Sequence, residues 1–321
     1  RRYARLSKYT SPANHINMAF FKRFAALSLK NRARHAGRPL AVMHIPKTAG
    51  TTVTAAIAQA LNSPADVVGF DRVLFGSFTG FSSFDRDVSR IMYRDIAEMP
   101  DEAKLIMGHF ARSTLSGRYP TAQLVTFLRE PISRLLSYWL YWRCQRDEDL
   151  SHWGEWRSYF GIARGSLKSF LTHPDIACQS DNIVVRMLLW PDARIDDCGF
   201  IERGYDGDLL RDALARLESF DYTDIIENPL LNDQFGKWLG ANFRPAHLNE
   251  TPRVPPELRV RLDKEMDDET LDLLEARCRL DTQLWQTLAA LRMPSTDVDV
   301  FRQRVFNRSL ARYGALLAPD Y

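Results

Sequence analysis

The stretch that decides the fold reads Leu40-Ala-Val-Met-His-Ile-Pro-Lys-Thr-Ala-Gly50-Thr-Thr. Its first part, 40–45, is a short apolar run typical of a buried strand. After the loop 46–50, apolar residues recur at the spacing of one helix face, at positions 53, 56, 57, 60 and 61. The sequence therefore predicts a strand, a tight loop and a helix in direct succession.

The same succession of elements repeats along the chain. Three further apolar runs indicate strands, at 105–107, 124–128 and 222–226. Four further segments show helical periodicity, at 131–140, 209–217, 229–239 and 271–291. Because strands that alternate with helices favour a covered parallel sheet, we predict an α/β fold. It is a P-loop-like parallel β-sheet flanked by helices on both faces, as a single domain (39–321) after a basic N-terminal arm (1–38).

The composition is that of an ordinary globular protein. The chain has 321 residues, of which 45% are hydrophobic and 26% charged, and its net charge is only +3. Such a small net charge gives no reason to expect a nucleic-acid partner. Only eight of the 43 cationic side chains are lysines. Arginine suits phosphate and sulfate oxygens, although a GC-rich genome is the simpler explanation of this bias.

The cysteines and the lengths of the apolar runs indicate the cellular compartment in which the protein is expected. Four scattered cysteines form no C-x-x-C pair, which gives neither a zinc ribbon nor a disulfide framework. No apolar run reaches the ~20 residues of a membrane span, and no signal peptide is visible. We expect a cytoplasmic protein, with the Golgi lumen as the alternative if an N-terminal anchor was removed. Within the arm, 18–29 could form an amphipathic helix that contacts a membrane, but a packed arm is favoured.

The loop 46–50 carries groups that bind anions. The first backbone N–H groups of the following helix have no partner within the helix, and the helix dipole is positive there. Gly50 allows close approach, Thr51 and Thr52 add hydroxyl donors, and Lys47 adds a charge. The lysine precedes the glycine, so this is not a Walker loop. Taken alone, the loop is a common kind of turn that leaves anion binding an open question.

A second strand–helix junction lies in Leu128-Arg-Glu-Pro-Ile-Ser-Arg-Leu-Leu-Ser-Tyr-Trp139. Arg129 ends a predicted strand, and Ser137 lies two turns into the next helix. Both would lie near the carboxyl edge of the sheet, where such folds bind ligands. The pair suits a second phosphate. The alternative is a structural ion pair of Arg129 with Glu130 or of Arg134 with an aspartate, together with a Ser137 that is packed in its helix.

Together the two segments, 44–52 and 127–139, resemble the paired signature of sulfotransferases that use 3′-phosphoadenosine 5′-phosphosulfate (PAPS). They are most similar to the branch with the heparan sulfate 2-O- and 6-O-sulfotransferases and its bacterial relatives. The resemblance implies that PAPS is the co-substrate, with its 3′-phosphate bound by Arg129 and Ser137. It implies that the 5′-phosphosulfate is bound by Lys47, Thr48, Ala49, Gly50, Thr51 and Thr52.

Weaker similarities extend the resemblance over roughly residues 40–255. Met107-Gly-His-Phe110 looks like the family's Gly-His-hydrophobic segment, and Asp181-Asn-x-x-x-Arg186 and His247–Arg253 resemble later segments. The last of these adds Thr251 and Arg253 to the expected cofactor-binding residues. The stretches between the motifs leave the acceptor open, and family resemblance favours a glycan, a glycolipid or another hydroxyl-bearing acceptor.

Sulfuryl transfer is an in-line displacement that needs an aligned acceptor and a stabilised leaving phosphate. We expect Lys47 to stabilise the phosphate, and no metal is expected. An imidazole is a natural base near neutral pH, and the family uses a histidine at the position of His109. His44 is the second candidate base, although its place inside a strand suggests a hydrogen-bonded core histidine.

Two other functions remain open. A P-loop-type kinase of a nucleotide or small metabolite would share the sheet and the loop. It usually needs an acidic residue at a strand end for Mg²⁺, and none of the predicted strands ends in Asp. A non-catalytic anion-binding module would predict a basic stripe and steep salt dependence. In the aromatic segment, Trp139 and Trp142 suit a core, whereas Trp153 and Trp156 suit a core or a sugar-binding groove equally.

Overall fold

The computed structural model describes residues 29, 31–245 and 254–319, apart from the side chain of Thr51. The described residues form one sheet with the strand order β3-β2-β4-β1-β5-β6, and every pair of neighbours is parallel. The strands are β1 (Leu40–Met43), β2 (Val67–Asp71), β3 (Met92–Tyr93), β4 (Leu105–His109), β5 (Gln123–Leu128) and β6 (Tyr222–Ile225).

The α-helices of the described residues pack around this sheet. They are α1 (Gly50–Ala60), α2 (Arg86–Ser89), α3 (Arg112–Arg118), α4 (Pro131–Arg143), α5 (Arg157–Phe160), α6 (Leu167–Thr172), α7 (Ala177–Ser180), α8 (Ile183–Leu189), α9 (Asp206–Glu218), α10 (Leu231–Leu239), α11 (Leu262–Glu265), α12 (Asp268–Arg292) and α13 (Val298–Leu317). Short 3₁₀ turns connect several of them.

The side chains of β1 alternate between two cores, as the period of two in a strand requires. Ala41 and Met43 belong to a core that includes residues of α4 and α12. Leu40 and Val42 belong to a second core, with residues of α1 and α10. Both faces of the sheet are therefore covered by helices, and the predicted α/β fold is confirmed.

The parallel order brings three carboxyl ends together at the centre of the sheet. Met43 on β1 lies opposite Gly108 on β4 and Thr126 on β5. Hence His109, the loop after β1 and Arg129 all emerge at one edge. This is the edge at which open α/β sheets bind ligands.

Several elements were not predicted from the sequence, among them β2, β3 and α13. Strands β2 and β3 are short, and β2 contains Gly69 with a φ of 138°. Helix α13 follows α12 after a turn and begins at Val298. Its N-cap is Asp297, whose carboxylate accepts from the backbone N–H of Val300 at 3.1 Å. This last helix returns along α4 and so reaches the central edge of the sheet.

The described part of the basic arm, 31–38, lies against the sheet's opposite edge. The backbone N–H of Arg32 donates to the carbonyl of Asp221 at 2.8 Å, and Arg34 Nη1 donates to Gln123 Oε1 at 2.7 Å. Residues 1–28 and 30, with most of the expected amphipathic helix, lie outside the described residues. In the part of the chain that the structure describes, no helix has the length and apolar character to cross a membrane.

Candidate functional site

The loop between β1 and α1 has an unusual backbone conformation. Lys47 and Ala49 have φ angles of 66° and 56°, in the left-handed region that residues other than glycine seldom adopt. Between them, Thr48 donates its hydroxyl proton to the carbonyl of Ile45 at 2.6 Å. Backbone strain of this kind costs about 1–3 kcal/mol per residue and is concentrated at ligand sites. The Thr48 hydroxyl thus shapes the loop, and α1 begins with no side-chain cap at Ala49.

Gly50 is the residue at which α1 meets the ring of His44. A Cβ atom on Gly50 would lie 1.6 Å from Cε1 and 1.8 Å from Nε2 of His44. Nε2 is buried and has no hydrogen-bond partner among the described residues. This nitrogen is therefore not the satisfied core atom that the sequence led us to expect. It is a buried polar atom without a hydrogen-bond partner, beside the start of α1, which has no side-chain cap.

We expect Gly50→Ala to destabilise the protein by about 1–3 kcal/mol, the usual cost of overpacking, and to abolish anion binding at the loop. A methyl group there would displace either the His44 ring or the first turn of α1. Urea unfolding measures the change in stability. The matched control is Ala49→Gly, because Ala49 is exposed and has a φ of 56°. That change should be neutral or stabilise by up to about 1 kcal/mol. Unchanged stability and anion binding in Gly50→Ala would show that the His44 ring is not fixed against the helix.

His109 ends β4 and lies beside His44. Its Nδ1 is 2.7 Å from the backbone oxygen of His44, and the two rings stack with centroids 4.4 Å apart. Because a carbonyl oxygen only accepts, Nδ1 carries the proton and Nε2 keeps its lone pair.

Both imidazoles of this pair are neutral near physiological pH. Burial lowers the pKa of His109 to about 4, against the opposing effect of the His44 carbonyl and with a smaller lowering from Lys47. Burial also holds the pKa of His44 well below 6.5, and His109 and Lys47 lower it further. A general base must be a neutral imidazole with a nitrogen that keeps its lone pair, as Nε2 of His109 does.

The ammonium of Lys47 lies over the ring of Tyr141, with Nζ 4.1 Å from the ring centroid. Burial lowers the pKa of Lys47 to about 8. Arg129 and Arg312 lower it further, and Cys144 acts in the opposite direction. Among the described residues, no carboxylate contributes to this shift. Positive charge is thus in excess around the loop, which favours a bound anion.

Arg129 follows β5 and reaches the same loop. Its Nη1 donates to the backbone oxygen of Lys47 at 2.9 Å, and its Nη2 donates to the hydroxyl of Tyr313. Tyr313 in turn donates to the backbone oxygen of Ser133 at 3.2 Å. Both hydrogen-bond acceptors of the guanidinium are neutral, and the buried carboxylate of Glu227, whose pKa Arg129 lowers, is its acidic neighbour.

Among the described residues, Arg129 does not form the alternative ion pair with Glu130. Glu130 caps α4, where its carboxylate accepts from the backbone N–H of Ser133 at 2.7 Å, and it pairs with Arg302 at 3.1 Å. The other alternative concerned Arg134, whose Nε and Nη1 are buried without a hydrogen-bond partner among the described residues. Arg129 therefore has no ion pair with Glu130, whereas the buried carboxylate of Asp281 interacts electrostatically with Arg134.

Ser137 lies in α4 and is 3% exposed. It precedes Tyr141 by one helical turn, so the two residues share a face of α4. Since Tyr141 contacts Lys47, Ser137 lies on the side of α4 that is turned toward the loop. The two predicted segments therefore meet in the structure.

Four residues near the site were not predicted. Tyr313 and Arg312 come from α13, and no local pattern links them to Arg129. Glu227 follows β6 and accepts from the backbone N–H of Glu130 at 2.8 Å, and burial raises its pKa to about 7. Tyr141 is the one that the sequence could have indicated, because it is four residues after Ser137 on a predicted helix.

Other predicted residues lie elsewhere or outside the described chain. Thr251 and Arg253 are outside the described residues. Asp181 and Arg186 form a buried ion pair at 3.1 Å. Trp156 is 2% exposed, so its buried ring belongs to the core. Trp153 is half-buried and stacks on Phe70, with centroids 5.5 Å apart.

The unpredicted strand β2 bears on the argument against a kinase, because it ends in an aspartate. The carboxylate of Asp71 accepts from the backbone N–H groups of Ala111 at 2.8 Å and Val73 at 3.1 Å. Burial raises its pKa to about 6, against these hydrogen bonds and one from Thr114. None of the predicted strands ends in Asp, but the unpredicted β2 does, and its carboxylate is bound to backbone N–H groups.

Neither the protein-family models nor the curated proteins that were searched match this chain. The geometry of the loop, His109 and Arg129 is therefore the main evidence for a function.

Proposed function

We propose that this protein is a PAPS-dependent sulfotransferase that moves a sulfuryl group onto an acceptor hydroxyl, on a carbohydrate or a glycolipid. The observation that carries the proposal is the meeting of a cationic loop with the neutral imidazole of His109, whose Nδ1 is held by the His44 carbonyl so that Nε2 keeps its lone pair. Anion binding alone would need Lys47 and Arg129 but no base. A base beside an anion site is what transfer of an anionic group to a hydroxyl requires.

The residues present fit the two charged ends of PAPS. The start of α1 has no side-chain cap and offers backbone donors, and Gly50 has no side chain, which allows close approach to one anion. Arg129, which donates to the backbone oxygen of Lys47 at 2.9 Å, and Ser137 suit the 3′-phosphate. The resemblance of 44–52 and 127–139 to the sulfotransferase signature supports PAPS over other doubly charged nucleotides.

In the proposed reaction, His109 Nε2 takes the proton of the acceptor hydroxyl. The acceptor oxygen forms a bond to sulfur while the bond from sulfur to the 5′-phosphate oxygen breaks. Lys47 and the backbone N–H groups of the loop stabilise the charge that grows on the leaving phosphate. The products are a sulfate ester and 3′-phosphoadenosine 5′-phosphate (PAP), and the proton leaves later from His109.

We expect PAP to stabilise the protein against heat without Mg²⁺, by about 2.7 kcal/mol at 100 times its dissociation constant. Adenosine 5′-monophosphate (AMP) lacks the 3′-phosphate and should stabilise much less. In Arg129→Ala, PAP affinity should fall by about 10- to 150-fold, since a hydrogen bond to a charged group is lost, whereas AMP affinity should change little. Calorimetric titration of both ligands measures this difference.

The matched control is Arg146→Ala, which removes an exposed arginine paired with Glu148 at 3.4 Å. It should leave both affinities unchanged. Equal stabilisation by PAP and AMP would remove the basis for the 3′-phosphate site. Stabilisation that appears only with Mg²⁺ and ATP would favour the kinase, and binding of every polyanion with steep salt dependence would favour the non-catalytic module.

A further inference from the structure

Tyr141 is exposed on a helix that is otherwise buried. Its side chain is 37% exposed, whereas every other residue of α4 (Pro131–Arg143) is buried. Packing in the core therefore does not account for an aromatic ring at this position. The ring is exposed where α4 passes the loop after β1.

The Tyr141 ring contacts the ammonium of Lys47. The distance of 4.1 Å from Nζ to the ring centroid is well within the ~6 Å over which a cation is attracted to an aromatic face. An ammonium has three N–H donors. A ring on one side of Nζ leaves donors on the other side for an anion.

The charged and titratable groups around Lys47 do little to hold its charge. Arg129 at the end of β5 and Arg312 on α13 are cations that repel it. His44 and His109 are neutral near physiological pH because burial lowers their pKa values. The thiol of Cys144 after α4 is neutral too, since burial raises its pKa to about 11. Besides Cys144, which raises the pKa of Lys47, the Tyr141 ring lies against Nζ and favours the protonated form.

We propose that Tyr141 is the positioning residue of Lys47, whose ring holds the ammonium beside the loop and keeps it protonated for the anion. The identity of that anion rests on the proposed sulfotransferase function, whereas the contact between the ring and the ammonium does not depend on it. The role of Tyr141 and the sulfotransferase function can therefore be tested separately.

The test compares Tyr141→Phe, which keeps the aromatic face, with Tyr141→Leu and Tyr141→Met, which remove it at similar size. The pKa of Lys47 is measured without ligand, from the pH dependence of its competitive acetylation and mass spectrometry of its peptide. Tyr141→Phe should leave this pKa unchanged. Tyr141→Leu and Tyr141→Met should lower it by about 0.4–1.5 units, the worth of a cation–π contact expressed as a pKa shift. The exposed Lys104 in the same samples is the internal control and should not change.

Calorimetric titration with PAP on the same variants separates the two ideas. Tyr141→Leu and Tyr141→Met should weaken PAP binding by about 2- to 30-fold, whereas Tyr141→Phe should not. An unchanged Lys47 pKa in both ring-less variants, with melting temperatures like the wild type, would overturn the role of Tyr141. A lowered pKa in a protein that binds no PAP would support that role and count against the sulfotransferase.

Discussion

His109→Asn should fold like the wild type, bind PAP with unchanged affinity and turn over about 10²–10⁴-fold more slowly. The reason lies in the two ring nitrogens. Nδ1 only donates to the backbone oxygen of His44, at 2.7 Å, and the amide of asparagine can replace that donor. Nothing in asparagine replaces the lone pair of Nε2. The rate is measured in single turnovers with saturating PAPS and a carbohydrate acceptor.

The control for this experiment is His35→Asn, because His35 is exposed and lies at the opposite edge of the sheet. It should retain full turnover. If folded His109→Asn turned over at the wild-type rate, the base would lie elsewhere. His44 would then be the next candidate, since its Nε2 is buried without a hydrogen-bond partner among the described residues.

Lys47→Ala should impair both steps, because Lys47 is proposed to contact the cofactor throughout the reaction. Loss of a preorganised donor to a growing negative charge lowers turnover by about 10²–10³-fold. PAP affinity should fall as well, by about 10- to 150-fold. Stopped-flow turnover and calorimetric titration measure the two effects separately. Normal PAP affinity in Lys47→Ala would place the phosphosulfate outside the loop.

The pH dependence of activity gives an independent check on Lys47 and on His109. The profile of kcat/KM reports the pKa values of the essential groups in the free protein. His109 must be neutral, so activity should rise through its pKa of about 4. Lys47 must be protonated, so activity should fall above its pKa of about 8. Lys47→Arg retains its charge at high pH and should lose the falling limb, at whatever rate it retains.

The centre of the fold could be predicted from the sequence because its signals are local. Strands β1, β4 and β5 are short apolar runs, and the helices after β1 and β5 show their buried faces at helical spacing. The loop at Lys47 and the junction at Arg129 were predicted as anion-binding segments, and the structure places them together because parallel neighbours end at one edge.

The rest depended on distant contacts. Tyr313 meets Arg129 across 184 positions of the chain, and no pattern around either residue indicates the other. Strand β2 was missed because Gly69 interrupts a short run, and its terminal Asp71 was missed with it. The open Nε2 of His44 is a property of packing against Gly50, which only the three-dimensional arrangement reveals.

The most direct measurement is sulfuryl transfer itself. The protein is incubated with PAPS labelled on sulfur and a mixture of hydroxyl-bearing glycans and glycolipids, without Mg²⁺, and the label and the nucleotide are followed together. We predict that label enters a glycan or glycolipid while one PAP forms for each sulfate ester, and that His109→Asn slows both by about 10²–10⁴-fold. This prediction would be contradicted if PAPS stayed intact with every acceptor while the protein transferred a phosphoryl group from ATP and Mg²⁺.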